Sequence, residues 1–206
     1  MKKVFNAEDN HLKKWPVSDF YILDVEYTAW KNSLENNWNK DNEWREIIEI
    51  GAILISHRNN QYKIVSELNL SVKPTLNPIL SQYIIDLTGI TQERIDLHGI
   101  KFKSAAHQLN QFFINSIPII FNGNDGQIFR ENYAINDLQV DFWLKNGFNF
   151  RPLLSSNLKI SYKDLISSDL PKIANIEDLH AHHSAIGDCR SIFNALNFWH
   201  ENGDLN

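Results

Sequence analysis

A chain of 206 residues, 43% hydrophobic and 22% charged, is long enough for one domain with a full core and too apolar to remain unfolded. Its formal net charge of −5 disfavours a general nucleic-acid coating role, because phosphate contacts want a basic surface, but leaves room for an enzyme that grips a short strand through cations and a local patch. One cysteine, Cys189, excludes an internal disulfide and fits a reducing, cytoplasmic setting; Lys2 and Lys3 lead into no apolar h-region, and no run approaches the roughly 20 apolar residues of a membrane span.

Residues 1–18 are polar and read as a lead-in, with 19–206 as a single domain. Asp19 to Tyr27 is apolar and rich in β-formers, which predicts the first strand. Lys31 to Glu43, rich in Asn, Lys and Glu with no apolar period, predicts a loop or a loose helical turn, flanked by Trp38 and Trp44, which close the core over the strand meander that follows. Arg45 to Ser56 and Tyr62 to Val72 predict two further strands joined by a turn at His57–Gln61, an antiparallel meander. Pro74 and Pro78 lead into a short helix near Ile79–Leu87, and Thr91 is placed to cap the next one. Apolar residues at Phe102, Ala105, Ala106, Leu109, Phe112 and Phe113 predict a helix over Lys101 to Ile114. Ile117 to Phe121 reads as a strand, Gln127 to Ala134 as a helix and Phe148 to Leu153 as the last strand. Leu158 to Ile166 and His183 to Trp199 read as the closing helices. Strands followed by alternating helix and strand imply an α/β sheet with helices on both faces.

Asp24 and Glu26 stand two apart in the first strand, so both side chains leave one face. Two carboxylates on an apolar strand are costly unless a cation neutralises them, and oxygen ligands suit Mg²⁺ or Mn²⁺; the competing reading is a solvated edge strand. Asp125 follows the strand Ile117–Phe121, where Gly123 and Gly126 permit a sharp turn, and ligands of open α/β sheets gather at such strand ends. Asp188 lies in the closing helix, five residues after His183. Five helical residues span 500°, about 140° from eclipsed, so His183 belongs on the loop or first turn leading in, leaning over the same cavity.

The order Asp24-x-Glu26, then Asp125, then His183-x₄-Asp188 resembles the DEDDh 3′–5′ exonuclease family. Arg45-Glu46-Ile47-Ile48-Glu49-Ile50-Gly51-Ala52 is similar to the second strand of that family. Val72-Lys73-Pro74 and Leu87-Thr88-Gly89-Ile90-Thr91 are similar to the segment after its third. The match runs from about Asp19 to Leu196. Each piece alone is weak, and the five in this order are specific. The second acid reads Phe121-Asn122-Gly123-Asn124-Asp125 where many members have His-Asn-x-x-Phe-Asp, a form closer to the RNA-processing branch; Asp137 and Asp141 are the fallback for this acid.

The resemblance implies an RNase H-like mixed five-stranded sheet. It also implies two divalent cations held by Asp24, Glu26, Asp125 and Asp188, with His183 as the general base that takes a proton from the attacking water. It implies a single-stranded RNA or DNA 3′ end as partner, RNA slightly favoured, with Tyr27, Thr28, Ala29 and Trp30 and the Thr88-Gly89-Ile90 segment shaping the pocket for the terminal nucleotide. Oligomeric state stays open, a homodimer included. Two alternatives stand beside it: a catalytically silent binding member of the same fold, and an RNase H-like endonuclease, disfavoured by the His-x₄-Asp ending. His180 and His182 read as ordinary solvated residues, since structural zinc wants four closed ligands. Cys189 reads as core packing. Lys101, Lys103, Arg151, Lys159 and Lys163 read as scattered surface cations with the option of a phosphate-contacting rim.

Overall fold

The computed structural model describes residues 10–177 and 183–205. His180 and His182 lie outside these residues. Seven strands form one sheet in the order β1-β7-β6-β2-β3-β4-β5. The central strand, β2 (Phe20–Tyr27), pairs antiparallel with β3 (Ile47–Arg58) and parallel with β6 (Ile119–Phe121). β4 (Gln61–Lys73) extends the antiparallel side, and β7 (Gly147–Asn149) lies parallel to β6. These are the five expected strands. The other two, β1 (Asn10–His11) and β5 (Ile100–Lys101), are two-residue edges too short to give a period in sequence. The sheet is mixed and carries helices on both faces, the RNase H-like arrangement.

Asn59 and Asn60 close the β3–β4 hairpin at φ +53° and +59°, the two left-handed residues that a two-residue primed turn requires. Alternation along β2 divides the core. Tyr21, Leu23 and Val25 join a cluster with Leu109 of α3 (Phe102–Phe112) and Phe129 of α4 (Asp125–Ile135). Phe20 and Ile22 join a cluster with Leu154, Cys189, Ile192 and Leu196 on the other face. Asp24 and Glu26 continue the second series, so the fold aims them toward the helix that carries Cys189, named α7 below.

Two short helices, α1 (Gln82–Thr88) and α2 (Gln92–His98), are capped by the hydroxyls of Ser81 and Thr91, and Gly89 ends α1 at φ +70°. With Ala29, Trp38 and Ile48 they bury a third cluster beside the end of β2. The loop after β2 is a series of turns; Trp38 is buried in it and its indole N–H donates to Thr28 O at 3.1 Å, whereas Trp44 is only half-buried.

One stretch departs from expectation. The strand at Phe148 stops at Asn149, and a helix, α5 (Arg151–Leu158), occupies residues assigned partly to strand and partly to loop. Asn149 Oδ1 accepts from Arg151 N at 3.0 Å, and Pro152 sits in the first turn, where its missing N–H costs nothing. Lys159 then ends the helix at φ +58°. Beyond Leu158, the last residue of α5, residues 159–166 are therefore not the expected helix but a chain of turns with a 3₁₀ turn at Tyr162–Asp164. A second 3₁₀ turn, Ser167–Asp169, leads into α6 (Leu170–Ile173), and α7 spans Ala185–Glu201. No helix among the described residues is long and apolar enough to cross a membrane.

Candidate active site

Asp24 and Glu26 leave β2 on the α7 face, and α7 brings its first turn directly onto the sheet. Gly51, the cross-strand partner of Asp24, makes that approach possible. A Cβ on Gly51 would lie 2.3 Å from Ala185 C and 2.5 Å from Ile186 N, so only glycine fits under the helix start. Ser184 caps α7 by accepting from Gly187 N, and Asp188 in the first turn is thereby set over β2. His183 stands just outside the cap at φ +57°, in the lead-in rather than in the helix.

Asp125 arrives from a third element as the first residue of α4, after β6 and the tight Asn122–Asn124 turn. Asp24, Glu26, Asp125, His183 and Asp188 all line one cleft of about 240 Å³. Within it, ligand atoms of Glu26, His183 and Asp188 lie within 4.8 Å of one another, a group able to hold a metal ion. The fallback acids do not enter: Asp137 is exposed, and Asp141 accepts from the Tyr133 hydroxyl at 2.6 Å.

Electrostatic strain follows from this convergence. Burial, then the charges of Asp188, Asp125 and Glu26, hold the Asp24 carboxyl well above its ordinary range; the Ser167 hydroxyl, 3.4 Å from Asp24 Oδ1, pulls the other way. Glu26 is pushed up to about 8 by burial, then by Asp188, Glu49 and Asp125. A set of hard oxygen donors that repel one another fits a divalent cation of the Mg²⁺ or Mn²⁺ kind. Cys189 shares the neighbourhood without the chemistry: it is fully buried, and burial pushes its thiol up, which leaves it inert core.

Of the residues expected to shape a nucleotide pocket, Tyr27, Ala29 and Trp30 line the cleft. Thr28, Thr88, Gly89 and Ile90 do not. Thr28 is buried, its hydroxyl accepting from Glu46 N at 2.9 Å and donating to Trp44 O. Thr88 Oγ1 donates back to Ile84 O at 2.7 Å, and Gly89 is spent on ending α1. The face of α1 that reaches the cleft is Tyr83, Ile84 and Leu87, joined by Leu34 from the loop after β2. Of the five basic side chains singled out in the sequence, Arg151 alone reaches the cleft lining.

Sequence reading also passed over Glu49. It is buried beside Glu26 on the neighbouring strand, accepts from Ala185 N at 2.8 Å and pairs with the Arg94 guanidinium, tying β3 to the start of α7 and to α2. The signal was available: an acid inside the apolar run Ile47–Ile50 needs partners as much as Asp24 does.

Compared with known protein families, residues 21–196 match the exonuclease family of the RNase T type. The chain belongs to the DEDDh-like 3′–5′ exonucleases. Within this exonuclease family, ERI1 exoribonuclease 2 of Xenopus laevis is 35% identical over 91 residues, 44% of this chain and 12% of that protein. The 3′–5′ exonuclease Snipper of Drosophila melanogaster is 29% identical over 112 residues, 54% of this chain and 37% of that protein. The chain thus matches well under half the length of these relatives. Among solved structures, the nuclease domain of 3′hExo, a DEDDh family member bound to rAMP, shares the exonuclease fold. Its TM-score is 0.75 at 17% identity, covering 94% of this chain and 97% of that one.

Proposed function

We propose that this chain is a metal-dependent 3′–5′ exonuclease that hydrolyses phosphodiester bonds at single-stranded 3′ ends, RNA preferred to DNA, releasing nucleoside monophosphates. The observation that carries the reading is the convergence of four carboxylates and one histidine, from β2, α4 and α7, in a single cleft. Asp24, Glu26, Asp125 and Asp188 would hold two divalent cations, Mg²⁺ or Mn²⁺, which when bound supply charge neutralisation at the phosphate and a water acidified toward neutral pH. His183 takes the proton from the attacking water, the acid–base role that an imidazole side chain fills near neutral pH. Trp30, Tyr83 and Leu87 offer a surface on which a terminal base stacks whatever its identity. Similarity to an exoribonuclease, ERI1 exoribonuclease 2, supports the preference for RNA. The free thiol of Cys189 supports a reducing, cytoplasmic setting.

The test is incubation with 5′-labelled and 3′-labelled RNA and DNA oligomers, in Mn²⁺ or Mg²⁺ and in EDTA. Mononucleotides should leave from a free 3′ end, only with the cation, and faster from RNA. Equal cutting of circular and linear strands would sink the exonuclease reading.

A further inference from the structure

The cleft carries four carboxylates, and Arg151 is the only lysine or arginine among the described residues that line it. We propose that the Arg151 guanidinium is the phosphodiester-binding group of this cleft, the point at which the backbone of a single strand is gripped. The inference deepens the exonuclease reading and rests on it.

Three features distinguish Arg151 from an ordinary solvated cation. The first is its partners. Arg45, Arg58, Arg94 and Arg190 each pair with a carboxylate. Arg151 is bonded only to neutral groups among the described residues: Nε donates to Asn122 Oδ1 at 2.8 Å and Nη2 to Asn122 O at 2.7 Å. Its charge is therefore not cancelled by an internal carboxylate. A half-buried, uncancelled guanidinium attracts an anion more strongly than a solvated one does, because less solvent screens it.

The second feature is rigidity. The fork on Asn122 fixes the guanidinium plane, and the Tyr162 ring lies 5.2 Å from its carbon. Asn122 is itself buried, its amide N–H groups donating to Leu165 O at 2.9 Å and Ser167 Oγ at 3.1 Å. Gly123, at φ +119°, leaves the room: a Cβ there would stand 2.9 Å from Arg151 Nη2. The rotamer entropy that a flexible arginine loses on gripping an anion is thus already spent in folding.

The third is what remains to donate. A guanidinium has five N–H groups in a fixed fork, and two are used on Asn122; Nη1 has no acceptor among the described residues. That geometry suits the non-bridging oxygens of a phosphodiester. The hydroxyls of Ser167 and Ser168 line the same cleft, and Ser167 connects Asn122 to Asp24, so the phosphate grip is built into the same framework as the acids.

The experiment measures binding apart from cleavage. A 5′-fluorescein single-stranded RNA with phosphorothioate linkages at its 3′ end is titrated with the full chain in Ca²⁺, over a series of salt concentrations, by anisotropy. R151M should weaken binding on the order of ten- to hundredfold, as for a lost charge-assisted hydrogen bond. It should also make the slope of log Kd on log salt shallower by about 0.7, the counterion share of one phosphate on a single strand. R151K should keep the slope, since the charge remains, while binding several-fold less well because an ammonium cannot fork onto Asn122. Far-UV circular dichroism checks that each variant is folded, and R151Q replaces R151M if that variant is not. Unchanged affinity and slope in the neutral variant, alongside normal 3′-end degradation by the wild type, would overturn this proposal and leave the exonuclease reading intact. So would a reduced slope in R151K. A wild type that neither binds nor degrades the strand would overturn both.

Discussion

Gly51→Ala is the sharpest single perturbation of the site, because it touches none of the chemistry. The added Cβ would meet backbone atoms of Ala185 and Ile186 at 2.3–2.5 Å, where ordinary contact begins at 3.4 Å. The α7 N-terminus or β3 must therefore retreat by about 1 Å, and backbone cannot rotate out of the way as a side chain can. Such overpacking costs about 1–3 kcal/mol, which lowers Tm by roughly 2–12 °C in a chain of this size. Asp188 is three residues along from Ala185 on the same helix face, so it moves with the retreat while Asp24, opposite Gly51, does not. A misplacement of 1 Å is enough to cost on the order of 10²-fold in turnover. Scanning calorimetry with the oligomer assay below the shifted Tm measures both. A folded Gly51→Ala protein with wild-type Tm and turnover would refute the claim that the helix start rests directly on β3.

Glu49→Ala should destabilise the fold by about 1–3 kcal/mol, since it leaves the buried Ala185 N–H without its acceptor and breaks the pair with Arg94, and Glu49→Gln should lose less; denaturant titration ranks the two. His183→Ala should keep the bound cation, read by calorimetric titration with Mn²⁺, and lose roughly 10²–10⁴-fold in turnover. The metal-free protein should lose stability as pH rises. Glu26 has its folded pKa raised from 4.5 to about 8, so the folded state binds more protons than the unfolded one. The penalty is absent below about 4.5 and grows until about 8. Melting in EDTA across that window checks the sign, and Mn²⁺ should flatten the curve; a Tm that climbs over the same interval would contradict the repulsion between the carboxylates.

Much of this architecture is set by local pattern and is legible in the chain itself. The period of two puts Asp24 and Glu26 on one face of β2, Asn59-Asn60 dictates the hairpin, and Thr91 caps α2 where a hydroxyl ahead of a helical run should. His183 falls in the lead-in, one residue before the Ser184 cap of α7. The errors lie where distant groups decide a local outcome. The helix starts at Arg151, whose N–H donates to Asn149 Oδ1, and that oxygen also accepts from Gly123 N, a residue 26 positions away whose approach no window of sequence displays. Likewise α1 presents Tyr83, Ile84 and Leu87 rather than Thr88 and Gly89, since those two are consumed in closing the helix that the Ser81–Ala29 contact anchors. Side-chain direction along one element follows from backbone geometry alone. Convergence of β2, α4 and α7 on one cleft depends instead on β6 inserting parallel to β2 and on a glycine narrow enough to seat a helix, and those are decided only when the sheet and helices pack.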